Sequence, residues 1–171
     1  AIGLSLPNSN MAPAPYESRE DIARAAGRAV MHMLERNIRP RDICTRKAFE
    51  NAARVVAATG GSTNAALHLP AMAHEAGIEF TLFDVAEIFR TTPYIADLKP
   101  GGRYVAKDMH AAGGIYMVMK TLLEGGYLHG DCLTVTGRTI AENLPESRWT
   151  PAREVLRPID TPTPPPGGLA A

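Results

Sequence analysis

The chain has 171 residues, which is enough for one domain with a buried core. Apolar residues make up 45% of it, and lysine plus arginine balance aspartate plus glutamate at 18 each, so the basic excess of a nucleic-acid-binding protein is missing. No apolar run reaches the ~20 residues that a membrane span needs. Two distant cysteines, Cys44 and Cys132, favour a reducing compartment over a disulfide scaffold. We therefore expect a cytoplasmic protein with no nucleic-acid or membrane partner.

Hydrophobic periodicity predicts helices along most of the chain. They are expected at roughly 19–36, 46–58 and 63–76, in a short segment that starts at a Thr81–Asp84 capping box and ends at Pro93, at 108–124 with a break at Gly113–Gly114, and at 139–144. The run Leu133–Thr136 has β-favouring residues and predicts a short strand. The fold class expected is α/β and helix-rich.

Composition divides the chain into three parts. Residues 1–16 carry three prolines and little periodicity, which predicts an extended arm. Residues 17–144 form the predicted domain body. Residues 145–171 are rich in proline, with six in the last 21 positions, and are typical of an extended linker.

The stretch Gly60–Asn64, with the sequence GGSTN, separates two alanine-rich helical segments. Two glycines allow a tight turn, and Ser62, Thr63 and Asn64 are residue types that cap a helix start. A helix N-terminus among small residues also suits a carboxylate or phosphate group. From the residues alone, the stretch is either a simple helix–helix junction or a ligand site, and the junction is the more common case.

Two histidines follow this stretch. His68 and His74 are six residues apart, so they do not share one helix face and no joint metal site is expected. Each is interpreted first as a structural histidine. His68 is the better functional candidate, because it lies one turn beyond Asn64.

The densest titratable group in the sequence is His129, Asp131 and Cys132. A Cys/His pair could form a nucleophile, but Cys132 opens the β-favouring run and is interpreted as a half-buried structural residue. Lys99 and Arg103 flank a Pro-Gly-Gly turn. We interpret them first as solvated charges of the turn and second as contacts for an anion. The sequence contains no phosphate-binding loop, dinucleotide fingerprint, nucleophile elbow or metal-ligand cluster.

Five segments in order resemble the dihydroxy-acid and sugar-acid dehydratase family. They are GLSLPNSNMAP at 3–13, IRPRDICTRKAFENA at 38–52, GGSTNAALHLPAMAHEAGI at 60–78, DLKPGGRYVAKDM at 97–109 and HGDCLTVTGRTIAENL at 129–144. An ordered match of five segments is far more specific than one motif. The text HGDCLTVTG followed by TIAENL favours the branch that acts on 2,3-dihydroxy-3-methyl acids in isoleucine and valine biosynthesis.

The resemblance implies a hydro-lyase that converts a dihydroxy acid to a 2-keto acid, with an iron–sulfur cluster as Lewis acid, a Mg²⁺ ion and a catalytic serine. It also implies that the cluster cysteines and most Mg²⁺ ligands lie upstream of this chain and that the serine lies downstream. We therefore expect a central fragment with no catalytic residue, metal ligand or bound cofactor of its own. Cys44 and Cys132 receive no ligand role.

The resemblance further implies a homodimeric parent enzyme whose α/β N-terminal domain includes this chain. Ser62, Thr63, Asn64 and His68 are the candidates for substrate binding or for the wall of the active site. Two alternatives stay open. One is a fragment of a sugar-acid dehydratase acting on arabinonate, xylonate or phosphogluconate, and the other is a non-catalytic helical interaction module.

Overall fold

The computed structural model describes residues 1–7, 9, 18–144 and 154–163. In these ranges the chain is helix-rich and contains no β-strand, only isolated bridges between single residues. The helices are α1 (Ser18–Glu35), α2 (Pro40–Ile43), α3 (Arg46–Ala58), α4 (Asn64–Ala76), α5 (Leu82–Thr91), α6 (Ala106–Ala111), α7 (Gly114–Glu124) and α8 (Ile140–Asn143).

The predicted helices are confirmed to within a few residues at their ends. The predicted segment 108–124 forms α6 and α7, which are separated at Gly113 and Gly114, where φ is +103° and +73°. These left-handed conformations suit glycine and explain why the break falls there. Helix α2 was not predicted. Its Pro40 occupies the first helical turn, where the missing N–H costs nothing.

The strand predicted at Leu133–Thr136 is wrong. Leu133 makes one isolated antiparallel bridge with Thr139, and the Val135 N–H donates to the carbonyl of Gly3 at 2.9 Å. The segment is therefore a compact loop that pairs with the start of the chain. Thr134 and Val135 are buried in this loop without a neighbouring strand, because tertiary contacts override a weak local preference.

Helix α3 lies at the centre of the packing and is buried on two sides. One side joins a core built with α6 and α7, and the other joins a core built with α4 and α5. The buried residues of α3 are mostly small, namely Ala48, Phe49, Asn51, Ala52, Ala53, Val55 and Ala58. Small side chains let neighbouring helices approach closely, so α3 packs in both cores and fixes the position of the turn that follows it.

The two ends of the chain are described in part. Gly3 is buried near the start, and Leu156 is buried and forms an antiparallel bridge with Ala96. Residues 8, 10–17, 145–153 and 164–171 lie outside the described residues. The extended arm at 1–16, the domain body at 17–144 and the linker at 145–171 therefore stay predictions.

Candidate functional site

The Gly60–Asn64 turn ends α3 with a well-formed C-terminal cap. The Gly60 N–H donates to the carbonyl of Ala57 at 3.3 Å, and the Gly61 N–H donates to the carbonyl of Val56 at 3.0 Å. Gly60 has a φ of +60°. This is the hydrogen-bond pattern of a Schellman motif, which satisfies carbonyls that a helix end otherwise leaves unpaired.

Both glycines of this turn are also required for space. A Cβ atom at Gly60 would lie 2.7 Å from Cε2 of Tyr94, and one at Gly61 would lie 2.9 Å from Cγ1 of Val56. Contacts this short are not tolerated between carbon atoms without movement. The turn is therefore held in one shape by its hydrogen bonds and by its close approach to Tyr94.

Helix α4 begins at the end of this turn, and its first residues are open to solvent. The Ser62 hydroxyl accepts a hydrogen bond from the Asn64 N–H at 3.2 Å, whereas Thr63 has helical backbone angles and its side chain makes no capping bond. The capping role expected of this stretch therefore belongs to Ser62. Ser62, Thr63 and Asn64 are all exposed.

His68 lies on α4 one turn after Asn64 and is also exposed. The exposed residues Ser62, Thr63, Asn64 and His68 thus lie around the start of the 13-residue helix α4, where backbone N–H groups carry partial positive charge. Such a surface can accept a carboxylate or hydroxyl oxygen. His74 is exposed in the last turn of the same helix and does not belong to this end.

Tyr94 is a neighbour of the turn that sequence reasoning missed. It is only 6% exposed, and within the described residues its hydroxyl has no hydrogen-bond partner. Burial first, and then the charge of Asp97, raise the pKa of this phenol. The only signal in the sequence was an aromatic residue at the start of the apolar run Tyr94–Ala96, which does not reveal a contact with Gly60.

The His129–Cys132 segment is fastened to α3 by Asn51, which is fully buried. The Asn51 side chain donates to the carbonyl of His129 at 2.9 Å and accepts from the His129 N–H at 2.8 Å. His129 Nε2 lies 2.7 Å from Glu50 Oε2. These contacts hold the segment against α3, so its polar residues have a structural role. We call the paired hydrogen bonds of Asn51 with His129 the clamp.

Neither cysteine is poised to act as a nucleophile or ligand. Burial raises the pKa of the Cys44 thiol, and burial together with Asp131 raises that of Cys132. Both shifts disfavour the thiolate that metal binding and nucleophilic attack require. In the part of the chain that the structure describes, no three His, Cys, Asp or Glu side chains group as metal ligands. These residues do not fit an iron–sulfur cluster or Mg²⁺.

The turn with Lys99 and Arg103 is closed by an ion pair. Arg103 Nε lies 2.6 Å from Oδ2 of Asp97, a carboxylate that is largely buried. Arg103 therefore pairs with Asp97 within the turn, while its side chain stays 69% exposed, as expected of a solvated charge. Lys99 is exposed.

A membrane span is not found among the helices of the described ranges, since none of them is long and apolar enough to cross a bilayer.

Comparison with known proteins gives consistent matches. The family model described as dihydroxy-acid/6-phosphogluconate dehydratase N-terminal matches residues 1–143. A dihydroxy-acid dehydratase from Parvibaculum lavamentivorans is 66% identical over 169 residues, which cover 99% of this chain and 29% of that protein. A protein named dihydroxy-acid dehydratase 2 from Bradyrhizobium diazoefficiens is 67% identical over the same shares. A dihydroxy-acid dehydratase from Pelagibacter ubique is 61% identical over 99% of this chain and 30% of its own length.

The chain therefore spans less than a third of the length of these curated relatives. The family match includes the Gly60–Asn64 turn, α4, the Asp97–Arg103 turn and the clamp at Asn51. The chain belongs to the dihydroxy-acid/6-phosphogluconate dehydratase family.

Proposed function

We propose that this chain is part of a hydro-lyase that removes water from a 2,3-dihydroxy acid and releases a 2-keto acid. The observation that carries the proposal is identity of 61–67% to proteins named dihydroxy-acid dehydratase along nearly the whole chain. The full-length protein is the catalyst in this proposal. The chain alone is expected to be inactive.

The preferred substrates are 2,3-dihydroxy-3-methyl acids, the precursors of the branched-chain keto acids in isoleucine and valine biosynthesis. Support comes from the names of the relatives and from the segment 129–144. The second candidate is a sugar acid, because the matched family also includes 6-phosphogluconate dehydratases. The test compares kcat/KM of the full-length protein for 2,3-dihydroxy-isovalerate and for pentonates. A higher value for the pentonates would reverse the assignment.

The full-length protein is proposed to carry an iron–sulfur cluster and Mg²⁺, as the resemblance implies. A metal in this chemistry supplies a Lewis acid for a poor leaving group. The donors of this chain do not fit either group, so no step is assigned to Cys44 or Cys132. The proposal is tested by the visible absorption of the full-length protein purified without oxygen. A spectrum without iron–sulfur bands would contradict it.

The exposed start of α4 is proposed to form part of the active-site wall. Three features support this: the rigid Gly60–Gly61 turn, the partial positive charge of the helix N-terminus, and the exposed polar side chains of Ser62, Thr63, Asn64 and His68. These groups would bind and orient a carboxylate or hydroxyl group of the substrate. They perform no bond-breaking step.

Replacing Ser62 tests the wall. Ser62→Ala removes the hydroxyl that caps Asn64 and is expected to raise KM of the full-length enzyme several-fold with a small change in stability of about 1 kcal/mol. Thr81→Ala is the matched control, because Thr81 caps α5 in the same way through Asp84. If both variants lose stability and neither changes KM, the turn is only a junction.

The parent protein is further proposed to be a cytoplasmic homodimer with an α/β N-terminal domain. Balanced charge and few cysteines support the compartment, and family resemblance supports the rest. The described ranges are helical, so the sheet of that domain is assigned to other parts of the parent protein. A crystal structure of the full-length protein with no sheet beside α3 and α7 would contradict this assignment.

A further inference from the structure

Tyr94 begins a segment that is bonded to the C-terminal end of α3. The Ile95 and Ala96 N–H groups both donate to the carbonyl of Ala58 at 2.9 Å. This carbonyl is in the last turn of α3 and is one of the acceptors that a helix end otherwise leaves unpaired. The segment that carries Tyr94 is therefore attached to the same helix end as the Gly60–Asn64 turn.

A second set of backbone hydrogen bonds joins this segment to residues 155–163. The Thr163 N–H donates to the carbonyl of Tyr94 at 2.8 Å, and the Arg157 N–H donates to the carbonyl of Ile95 at 2.8 Å. The backbone of Tyr94 is thus held both from α3 and from this later part of the chain. Its side chain is therefore a fixed boundary for the residues that pack against it.

The ring edge of Tyr94 limits the position of Gly60. A Cβ atom at Gly60 would lie 2.7 Å from Cε2, 3.2 Å from Cζ and 3.2 Å from Oη of Tyr94. At the next position, a Cβ atom at Gly61 would lie 2.9 Å from Cγ1 of Val56 on α3. Each glycine of the turn is therefore packed against a side chain of a fixed element.

The contact between Tyr94 and the turn depends on the ring and not on a hydrogen bond. Tyr94 is buried, and in the described ranges its hydroxyl oxygen has no hydrogen-bond partner. Burial of an unpaired hydroxyl costs free energy. Phenylalanine at this position would therefore keep the packing against Gly60 without that cost.

The position of Gly60 determines where α4 begins. Ser62 follows the two glycines directly, and its hydroxyl accepts from the Asn64 N–H at 3.2 Å in the first turn of α4. A displacement of Gly60 is therefore passed to the exposed polar groups at this helix end. Donors that are misplaced by about 1 Å bind and orient a ligand much less well.

We propose that Tyr94 is a positioning residue of the active-site wall. Its ring fixes Gly60, and the turn then places the Ser62–Asn64 end of α4 for a carboxylate or hydroxyl group of the substrate. The inference rests on the proposed function, because it requires that this end of α4 binds substrate. Tyr94 acts through the turn, since its own side chain is buried.

Two substitutions at Tyr94 in the full-length protein test the role of the ring, with 2,3-dihydroxy-isovalerate as the substrate. Tyr94→Leu removes the three ring atoms that face Gly60 and is expected to raise KM at least about threefold, with kcat within about twofold of the wild type. Tyr94→Phe keeps the ring edge and is expected to leave KM within about twofold of the wild type and to unfold at no lower temperature.

Phe80→Leu is the matched control for a loss of stability alone. Phe80 is a buried aromatic residue just beyond the C-terminal end of α4, and its ring packs against Phe49 with centroids 5.9 Å apart. The variant is expected to lose stability in urea unfolding, as Tyr94→Leu does, but to keep the wild-type KM. An equal rise of KM in both leucine variants overturns the inference, because instability would then explain the rise.

Ser62→Ala separates failure of this inference from failure of the proposed wall. If Ser62→Ala raises KM and Tyr94→Leu does not, the wall binds substrate but Tyr94 does not position it, and the inference is overturned. If neither variant changes KM, the wall itself is wrong and the inference fails with it.

Gly60→Ala covers the case in which Tyr94→Leu folds poorly, because it disturbs the same contact from the side of the turn. It is expected to raise KM at least about threefold. Gly126→Ala is its control, since Gly126 also has a positive φ but a Cβ atom there would meet nothing within 4 Å. A wild-type KM in Gly60→Ala, or an equal rise of KM in Gly126→Ala, overturns the inference.

Discussion

At the scale of single residues, the candidate site and the loop beside α3 depend on a few specific contacts. Gly60 combines a left-handed backbone with a close approach to Tyr94, and Asn51 fastens a loop 78 residues away along the chain. The glycines were recognisable in the sequence because Gly-Gly followed by capping residues is a local signal. The contact with Tyr94 and the clamp by Asn51 were not recognisable, because they join distant residues and leave no local pattern.

Gly60→Ala is expected to destabilise the protein more than Gly126→Ala. Both glycines have positive φ, +60° and +78°, but a Cβ atom would meet the Tyr94 ring at Gly60 and nothing within 4 Å at Gly126. Gly126→Ala should cost about 1 kcal/mol from backbone strain, and Gly60→Ala about 2–3 kcal/mol. Urea unfolding of both variants measures the difference. Equal losses of unfolding free energy in the two variants would mean that the Tyr94 ring moves aside without cost.

Asn51→Ala is expected to lower the free energy of unfolding by about 2–3 kcal/mol. It leaves the partly buried N–H and carbonyl of His129 without their partner. Lys47→Ala is the control, because Lys47 also joins α3 to this loop through Asp131. Its pair with Asp131 is half-exposed, so its loss should cost less than about 1 kcal/mol. A loss at Asn51 no larger than the loss at Lys47 would show that the clamp is not needed.

At the scale of elements, local signals predict helices well and fail for the loop at 133–136. The Thr81 capping box is confirmed, because its hydroxyl accepts from the Asp84 N–H and the Asp84 carboxylate accepts from the Thr81 N–H at 2.7 Å. Such reciprocal bonds lie within four residues and are encoded locally. The hydrogen bond from the Val135 N–H to the Gly3 carbonyl joins residues that are far apart in sequence, so β-propensity alone predicted the wrong structure there.

The Asp84 carboxylate should make stability depend on acid pH. Bonds from Thr81 and then Arg46 lower the pKa of Asp84 from 3.8 to about 2. Because the folded pKa lies below the unfolded one, the stabilisation is present above about pH 4 and is lost as pH falls through about 2.

Thermal unfolding between about pH 5 and 2 measures this effect. The wild type is expected to lose stability more steeply than Asp84→Asn, which cannot titrate at this position. Glu87→Gln is the control on the same helix, since the Glu87 carboxylate forms an exposed ion pair with Arg90. Parallel curves for the wild type and Asp84→Asn would contradict the role of this carboxylate.

At the scale of the whole molecule, the described part of the chain is a helical unit organised around α3, with a rigid turn at one end of that helix. Its family membership was recognisable from five ordered segments of sequence. A complete site could not be predicted from this chain, since few of its polar side chains converge in the described ranges. We instead assign the chemistry to the longer parent protein, since the curated relatives are about three times the length of this chain.

The most direct test of this account is formation of a 2-keto acid by the full-length protein, purified without oxygen and supplied with 2,3-dihydroxy-isovalerate. We expect turnover by the full-length protein and none by residues 1–171 alone. Absence of keto acid from both this substrate and the pentonates, with folded protein and Mg²⁺ present, would contradict the assignment of the chain to a working dehydratase.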